Sequence, residues 1–286
     1  MFFPAHISKD GTVQTVGQHC KNTAELAKKH LYKQELADTA YLAGLLHDAG
    51  KCTDKFRNYI EKASHGEDVY RGSVIHTFAA VRFLLNTYHS SSASEANLIN
   101  DTTAEILSSA IGGHHGLFDC FDEDENCGFT HRISKQPDYD DMAMNGFFKE
   151  VSDRDCIDRL FSSSAKEISS KFQQIRSISK CMDELYFYLS LLTRLITSAL
   201  IDADRCDTAS FMNPDEYEDG RILTPEILKK VTENFDSRLS GFECITPIQV
   251  ARSELSKLCL QAASKPGGVF RLNLPTGAGK TLSGLR

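Results

Sequence analysis

The chain has 286 residues, 41% of them apolar and 25% charged, with a net charge of −7. This composition suits a globular protein with a sizeable core, excludes a disordered polymer, and counts against a protein that coats nucleic acid non-specifically. The N-terminal MFFPAHISKDG lacks a basic segment followed by an apolar stretch, no apolar run approaches the roughly 20 residues of a membrane span, and nine cysteines lie scattered without a C-x-x-C pair. A reduced, cytoplasmic setting without a membrane partner is therefore expected.

In chain order, Cys20, Ala24, Ala27 and Leu31 recur at the spacing of one helical face, followed by Ile75, Ala79 and Phe83, then by Ile106 and Ala110. Leu185, Leu189, Leu192, Ile196 and Ala199 mark a longer helix. Strand-like alternation is nearly absent before residue 205, so an all-α bundle is expected. The stretch Leu117 to Gly146, rich in Asp, Asn, Gly and Pro, predicts a long irregular loop, and the acidic runs 119–125 and 213–220 predict solvated loops. Beyond Asp207 the chain turns polar. Thr224-Pro225-Glu226 then opens a helix, a further helix covers Pro247 to Ala263, and VFRLNL (269–274) predicts a strand leading into PTGAGKT.

His47 and Asp48 end the apolar run YLAGLL, so an imidazole and a carboxylate sit together at the end of a buried face. His19 shares a face with Leu26, His76 with Ala80 and Phe83, His114 with Leu107, His115 with Ile111, and Asp204 with Leu200. A buried aspartate needs a cation or strong donors, histidine is the commonest metal ligand, and a carboxylate can bridge two ions. Two divalent ions about 3.5–4 Å apart activate water and stabilise the leaving oxygen in phosphodiester cleavage. His6, His30, His65, His89 and His131 are read as non-ligands.

The order H…HD…H…HH…D resembles the HD superfamily of metal-dependent phosphohydrolases. More narrowly, HDAGKCTDKFRNYI, IHTFAAVRFL, GGHHGLFD and LIDADRCDTA look like the HD nuclease domain of the CRISPR-associated helicase–nuclease of type I systems, over roughly residues 5 to 210. The resemblance implies one metal held by His19, His47, Asp48 and Asp204, and a second held by Asp48 as bridge with His76, His114 and His115. It implies that Lys51 steadies a scissile phosphate beside the catalytic Asp48, and that Mn²⁺, Fe²⁺, Co²⁺ or Ni²⁺ suits the site better than Mg²⁺. Asp204 is preferred as the closing carboxylate, with Asp202 and Asp207 as alternatives.

LPTGAGKT resembles the phosphate-binding loop of superfamily 2 helicases, with Thr276, Gly277, Ala278 and Gly279 cradling phosphates, Lys280 pairing with their oxygens and Thr281 holding Mg²⁺. Gln249 is read as a surface residue rather than an adenine reader. The expected organisation is an all-α HD-domain bundle over 1–210, a linker with a helix over 211–244, and the start of a RecA-like α/β helicase domain over 245–286, cut before it can act as an ATPase. ATP and Mg²⁺ would then belong only to a longer protein. The expected function is metal-dependent hydrolysis of single-stranded DNA, delivered by a guide-RNA surveillance complex of the Cascade type. The alternatives are an HD phosphohydrolase acting on nucleotides or cyclic dinucleotides, and a non-enzymatic docking module around a structural ion.

Overall fold

The computed structural model describes residues 2–70, 73–74, 76–90, 92, 94–116, 127–134, 140–215, 217, 224–266 and 270–285. Ile75, the acidic run 119–125, part of 213–220 and Val269 lie outside the described residues. Two compact units are present, Met1–Tyr217 and Glu218–Arg286.

The first unit is a mostly α-helical bundle, as its periodicities require, preceded by an antiparallel hairpin of β1 (Pro4–Ile7) and β2 (Val13–Thr15). The hairpin pairs His6 with Gln14, and a bulge between Pro4 and His6 re-aims the strand. Helix α1 (Val16–Leu31) begins in a capping box, in which Thr15 accepts from Gln18 N at 3.1 Å and Gln18 Oε1 accepts from Thr15 N at 3.0 Å. Thr15→Ala is expected to destabilise this unit by about 1 kcal/mol, read as a midpoint shift in urea unfolding at unchanged slope.

Helices α2 (Ala37–Leu46), α3 (Asp54–Ser64), α4 (Ala79–Tyr88) and α5 (Leu98–Gly113) follow, then α6 (Gly128–Ser134), α7 (Asp140–Glu150), α8 (Arg154–Ile178) and α9 (Met182–Met212). α2 is buried almost all round, against α1, α8 and α9. Gly44 permits its approach to α1, since a Cβ there would lie 2.5 Å from Ala24 Cα. The faces expected around Cys20, Ala24 and Ala27, around Ile106 and Ala110, and around Leu192, Ile196 and Ala199 all enter one core.

Three expectations need correction here. Helices α6 and α7 occupy described parts of the stretch expected to be an irregular loop. Ala143, Met144 and Phe147 bury one face of α7, and Asp140 ion-pairs with Arg82 of α4, which outweighs the loop-like composition. His76 precedes α4 in non-helical backbone rather than sharing a helical face with Ala80 and Phe83. Lastly, α9 is long and apolar enough, by length and composition alone, to cross a membrane, contrary to the reading of its sequence. Its inner face, with Leu192, Ile196, Leu200 and Ala203, lies in the bundle core.

In the second unit, Thr224 caps α10 (Pro225–Ser240) and α11 runs Pro247–Ala263, as expected. The expected strand is absent from described residues 270–274: among the described residues, no second strand in this unit offers the ladder partner that a strand requires. Gly277 and Gly279 adopt φ +83°, and α12 (Lys280–Leu285) starts at the loop's lysine.

Candidate metal centre

Helix ends and loops deliver most of the candidate residues. His47 caps the C-terminus of α2 and His114 that of α5, where the last carbonyls lack helical partners. Each ring reaches a carbonyl of that last turn: His47 Nδ1 donates to Gly44 O at 2.7 Å, and His114 Nδ1 to Ile111 O at 2.6 Å, which also accepts from His114 N. Both Nε2 atoms are thereby turned away from their own helices. His76 Nδ1 is 3.2 Å from Val74 O, and Phe56 of α3 packs edge-on against its ring at 5.1 Å. α3 thus props a histidine that lies outside any helix.

The donors converge in two groups that share Asp48. In the first, His19 Nε2 lies 3.3 Å from Asp48 Oδ2, 3.2 Å from Asp204 Oδ1 and 3.2 Å from His47 Nε2. In the second, His76 Nε2 lies 3.8 Å from Asp48 Oδ1 and 2.9 Å from His115 Nε2, with His114 Nε2 3.9 Å from the same carboxylate oxygen. Asp48 Oδ1 and His114 Nε2 are buried and make no hydrogen bond among the described residues. Two orphaned electron-pair donors facing one another fit a cation between them, because burial without a partner is otherwise costly. His19, His47, Asp48 and Asp204 form one group able to hold a metal ion, and Asp48, His76 and His115 form another; His114 stands beside the second through its approach to Asp48 Oδ1.

Charge divides the two groups. Burial pushes His76 down to about 4 and His114 down to about 3, so both rings are neutral near pH 7 with lone pairs available. Burial would also depress His19, but hydrogen bonds to Asp204, Asp207 and Asp48 outweigh it and raise that ring to about 10. His47 is raised in the same way: burial opposes, and the Asp48 charge wins. Burial opposes ionisation of Asp48, yet Lys51 and His47 hold its carboxyl well below the usual range. In the metal-free protein, protons and Lys51 therefore supply the positive charge that a cation would bring to the first group.

These shifts fix a pH dependence for the metal-free protein. His76 and His114 stay neutral in the fold while the unfolded chain protonates below its ordinary 6.5, so their contribution is lost as pH falls from 6.5 towards 3. His19 acts oppositely: its contribution is complete below 6.5 and is lost as pH rises through about 10. Melting temperature of chelator-treated protein should therefore peak near neutrality and fall on both sides. A divalent ion at the first group should flatten the alkaline limb, because the ion replaces the protons.

Of the residues proposed from sequence for the two metals, His19, His47, Asp48, Asp204, His76 and His115 lie in these groups, and His114 lies at the edge of the second. Lys51 is buried, not solvated, with Nζ 2.6 Å from Asp48 Oδ2 and 5.5 Å from the centre of the Phe56 ring. Of the alternative aspartates, Asp202 is exposed and pairs with His30 at 3.1 Å. Asp207 sits behind His19 rather than in front of it, 2.6 Å from Nδ1. His6, set aside from sequence, packs edge-on against His19 at 4.7 Å and lies 3.3 Å from Thr208 Oγ1. No helical spacing pointed to it, because a strand carries it. Its pairing with Gln14 exists only once the hairpin forms, so the sequence carried no signal for it.

In the second unit, Thr276, Gly277, Gly279, Lys280 and Thr281 line a cavity of about 690 Å³, together with Phe242, Gln249 and Arg252. Arg252 donates to Gly277 O, while Lys280 Nζ donates to Leu274 O at 3.0 Å. Gln249 Oε1 accepts from Thr246 N at 2.8 Å, so this side chain caps α11.

Residues 16–127 match the HD domain family. The matched segment contains His19, His47, Asp48, His76, His114 and His115, whereas His6, Asp204 and Asp207 lie outside it. HD domains are typically metal-dependent hydrolases, and the His/Asp groups fit that character. No curated protein matches the chain.

Proposed function

We propose that this protein is a metal-dependent phosphodiesterase that hydrolyses single-stranded DNA, acting in type I CRISPR interference with a guide-RNA surveillance complex as partner. One observation carries the hydrolytic part. The two oxygens of Asp48 face different groups, Oδ2 towards His19 and His47 and Oδ1 towards His76 and His114, as a bridge between two ions requires. Divalent ions held there would lower the pKa of water and neutralise charge developing on a phosphate.

The chain's own residues supply the rest. His19, His47 and Asp204 would hold one ion beside Asp48, and His76, His114 and His115 the other. The second group faces outward, since His115 is exposed while His19 and His47 are fully buried, so a phosphate reaches that side first. Lys51 lies close enough to bind a phosphate oxygen once a cation takes over Asp48. The nitrogen-rich donor set favours Mn²⁺, Fe²⁺, Co²⁺ or Ni²⁺ over Mg²⁺. The preference for DNA over nucleotides rests on the four motifs that resemble the CRISPR-associated nuclease. The phosphate loop supports it further, as expected where a nuclease is joined to a helicase. Eight free cysteines among the described residues agree with a reduced, cytoplasmic setting.

The test incubates the protein with Mn²⁺ and either single-stranded DNA or a panel of nucleotides and cyclic dinucleotides. Cleavage of DNA, abolished by chelator, is the expected result. Turnover of the small substrates alone would replace this reading with that of a nucleotide phosphohydrolase. Mn²⁺ binding without turnover of either would leave a structural ion in a docking module.

A further inference from the structure

We infer that Asp207 is a positioning residue of the metal centre, fixing the ring of His19 so that Nε2 faces the first group and strengthening it as a donor. This rests on the metal reading above. A ligating imidazole needs a partner on its other nitrogen, which sets tautomer and orientation. His47 and His114 find theirs in carbonyls at helix ends, and His76 in Val74 O. His19 lies inside α1, away from the carbonyls of the helix end, and its Nδ1 instead meets the Asp207 carboxylate. Among these four histidines it alone is backed by an anion, and an ionised acceptor polarises the ring more strongly than a carbonyl does.

Asp204 and Asp207 stand one helical turn apart on α9 and bracket His19, one on each ring nitrogen. Asp207 is committed to this support. Its Oδ2 also accepts from Gln14 Nε2 at 2.8 Å, and its Oδ1 from Asn22 Nδ2 at 2.8 Å. Three donors from β2 and α1 therefore hold a carboxylate that is almost fully buried. Gln14 leaves its own Oε1 without a hydrogen-bond partner among the described residues, so its amide serves Asp207 alone. The hairpin, which also buries Ala5 in the core, thus completes the support of His19.

The test uses the full chain carrying His115→Ala, which weakens the second group and leaves the first intact. Mn²⁺ affinity is measured by calorimetry with and without Asp207→Asn, an isosteric change that removes the charge. The expected loss is about 10–100-fold. The downfield His19 Nδ1–H proton resonance of the metal-free protein should also shift or vanish in Asp207→Asn. Gln14→Met, which removes one donor and keeps the His19–Asp207 bond, is expected to retain that resonance and weaken Mn²⁺ binding less; it keeps the comparison available if Asp207→Asn fails to fold. A purely structural carboxylate would lower the melting temperature yet leave affinity within twofold and the resonance in place, which overturns the inference. Absence of Mn²⁺ binding in the parent chain overturns the metal reading itself, and the resonance alone then decides whether Asp207 holds the ring.

Discussion

Asp48→Ala is expected to empty both metal groups at once and to reduce hydrolysis by about 10³-fold or more, because among the described residues no other contributes an oxygen to each. The loss should appear as a fall in bound Mn²⁺ from two ions per chain to none, measured by metal analysis after gel filtration. Stability should fall as well. Lys51 would remain buried without its carboxylate partner, and breaking such a pair costs about 3–5 kcal/mol. His115→Ala provides the contrast: it touches only the exposed edge of the second group, so one ion should persist. Retention of two ions by Asp48→Ala would remove the bridging role.

Gly50→Ala should be nearly as damaging, though the residue carries no chemistry. A Cβ at Gly50 would lie 1.9 Å from His76 O and 2.7 Å from His76 Cα. Both are backbone atoms, so the turn after Asp48 and the segment bearing His76 would have to separate. Overpacking of this kind costs about 1–3 kcal/mol, and the displacement falls directly between Asp48 and its second-group partner. The expected outcome is a lowered melting temperature with loss of the second ion, while His19, His47 and Asp204 retain the first. Gly116→Ala, whose Cβ would meet nothing within 4 Å, should leave melting temperature and stoichiometry unchanged. Equal behaviour of the two variants would mean that close backbone approach does not set the second group.

Much of the centre was legible because its residues extend apolar faces. His47 and Asp48 follow Leu42, Leu45 and Leu46, all buried, and Asp204 lies one turn beyond Leu200. Where a helix carries the ligand, period and burial agree. They fail where other forces hold the chain. His76 is kept in place by Phe56 and by backbone contact with Gly50, neither of which leaves a period in the sequence. α7 was hidden by its aspartates and glycine, since its stability comes from Phe147 and the Arg82–Asp140 pair. The 270–274 segment has strand-like composition, but a strand exists only where another offers its hydrogen bonds.

Local order in the chain specified which faces are apolar and which nitrogen and oxygen donors stand at their ends, because helical periodicity and side-chain chemistry are properties of neighbours. Folding assigned each donor its partners: the two oxygens of Asp48 to separate groups, Asp207 to the back of His19, and His6 and Gln14 to the hairpin's contact with the bundle. Apolar burial has no direction and tolerates many arrangements of helices. A hydrogen bond or a metal ligand requires atoms placed to within a few tenths of an ångström, and residues 188 positions apart, such as His19 and Asp207, acquire that placement only when the helices dock.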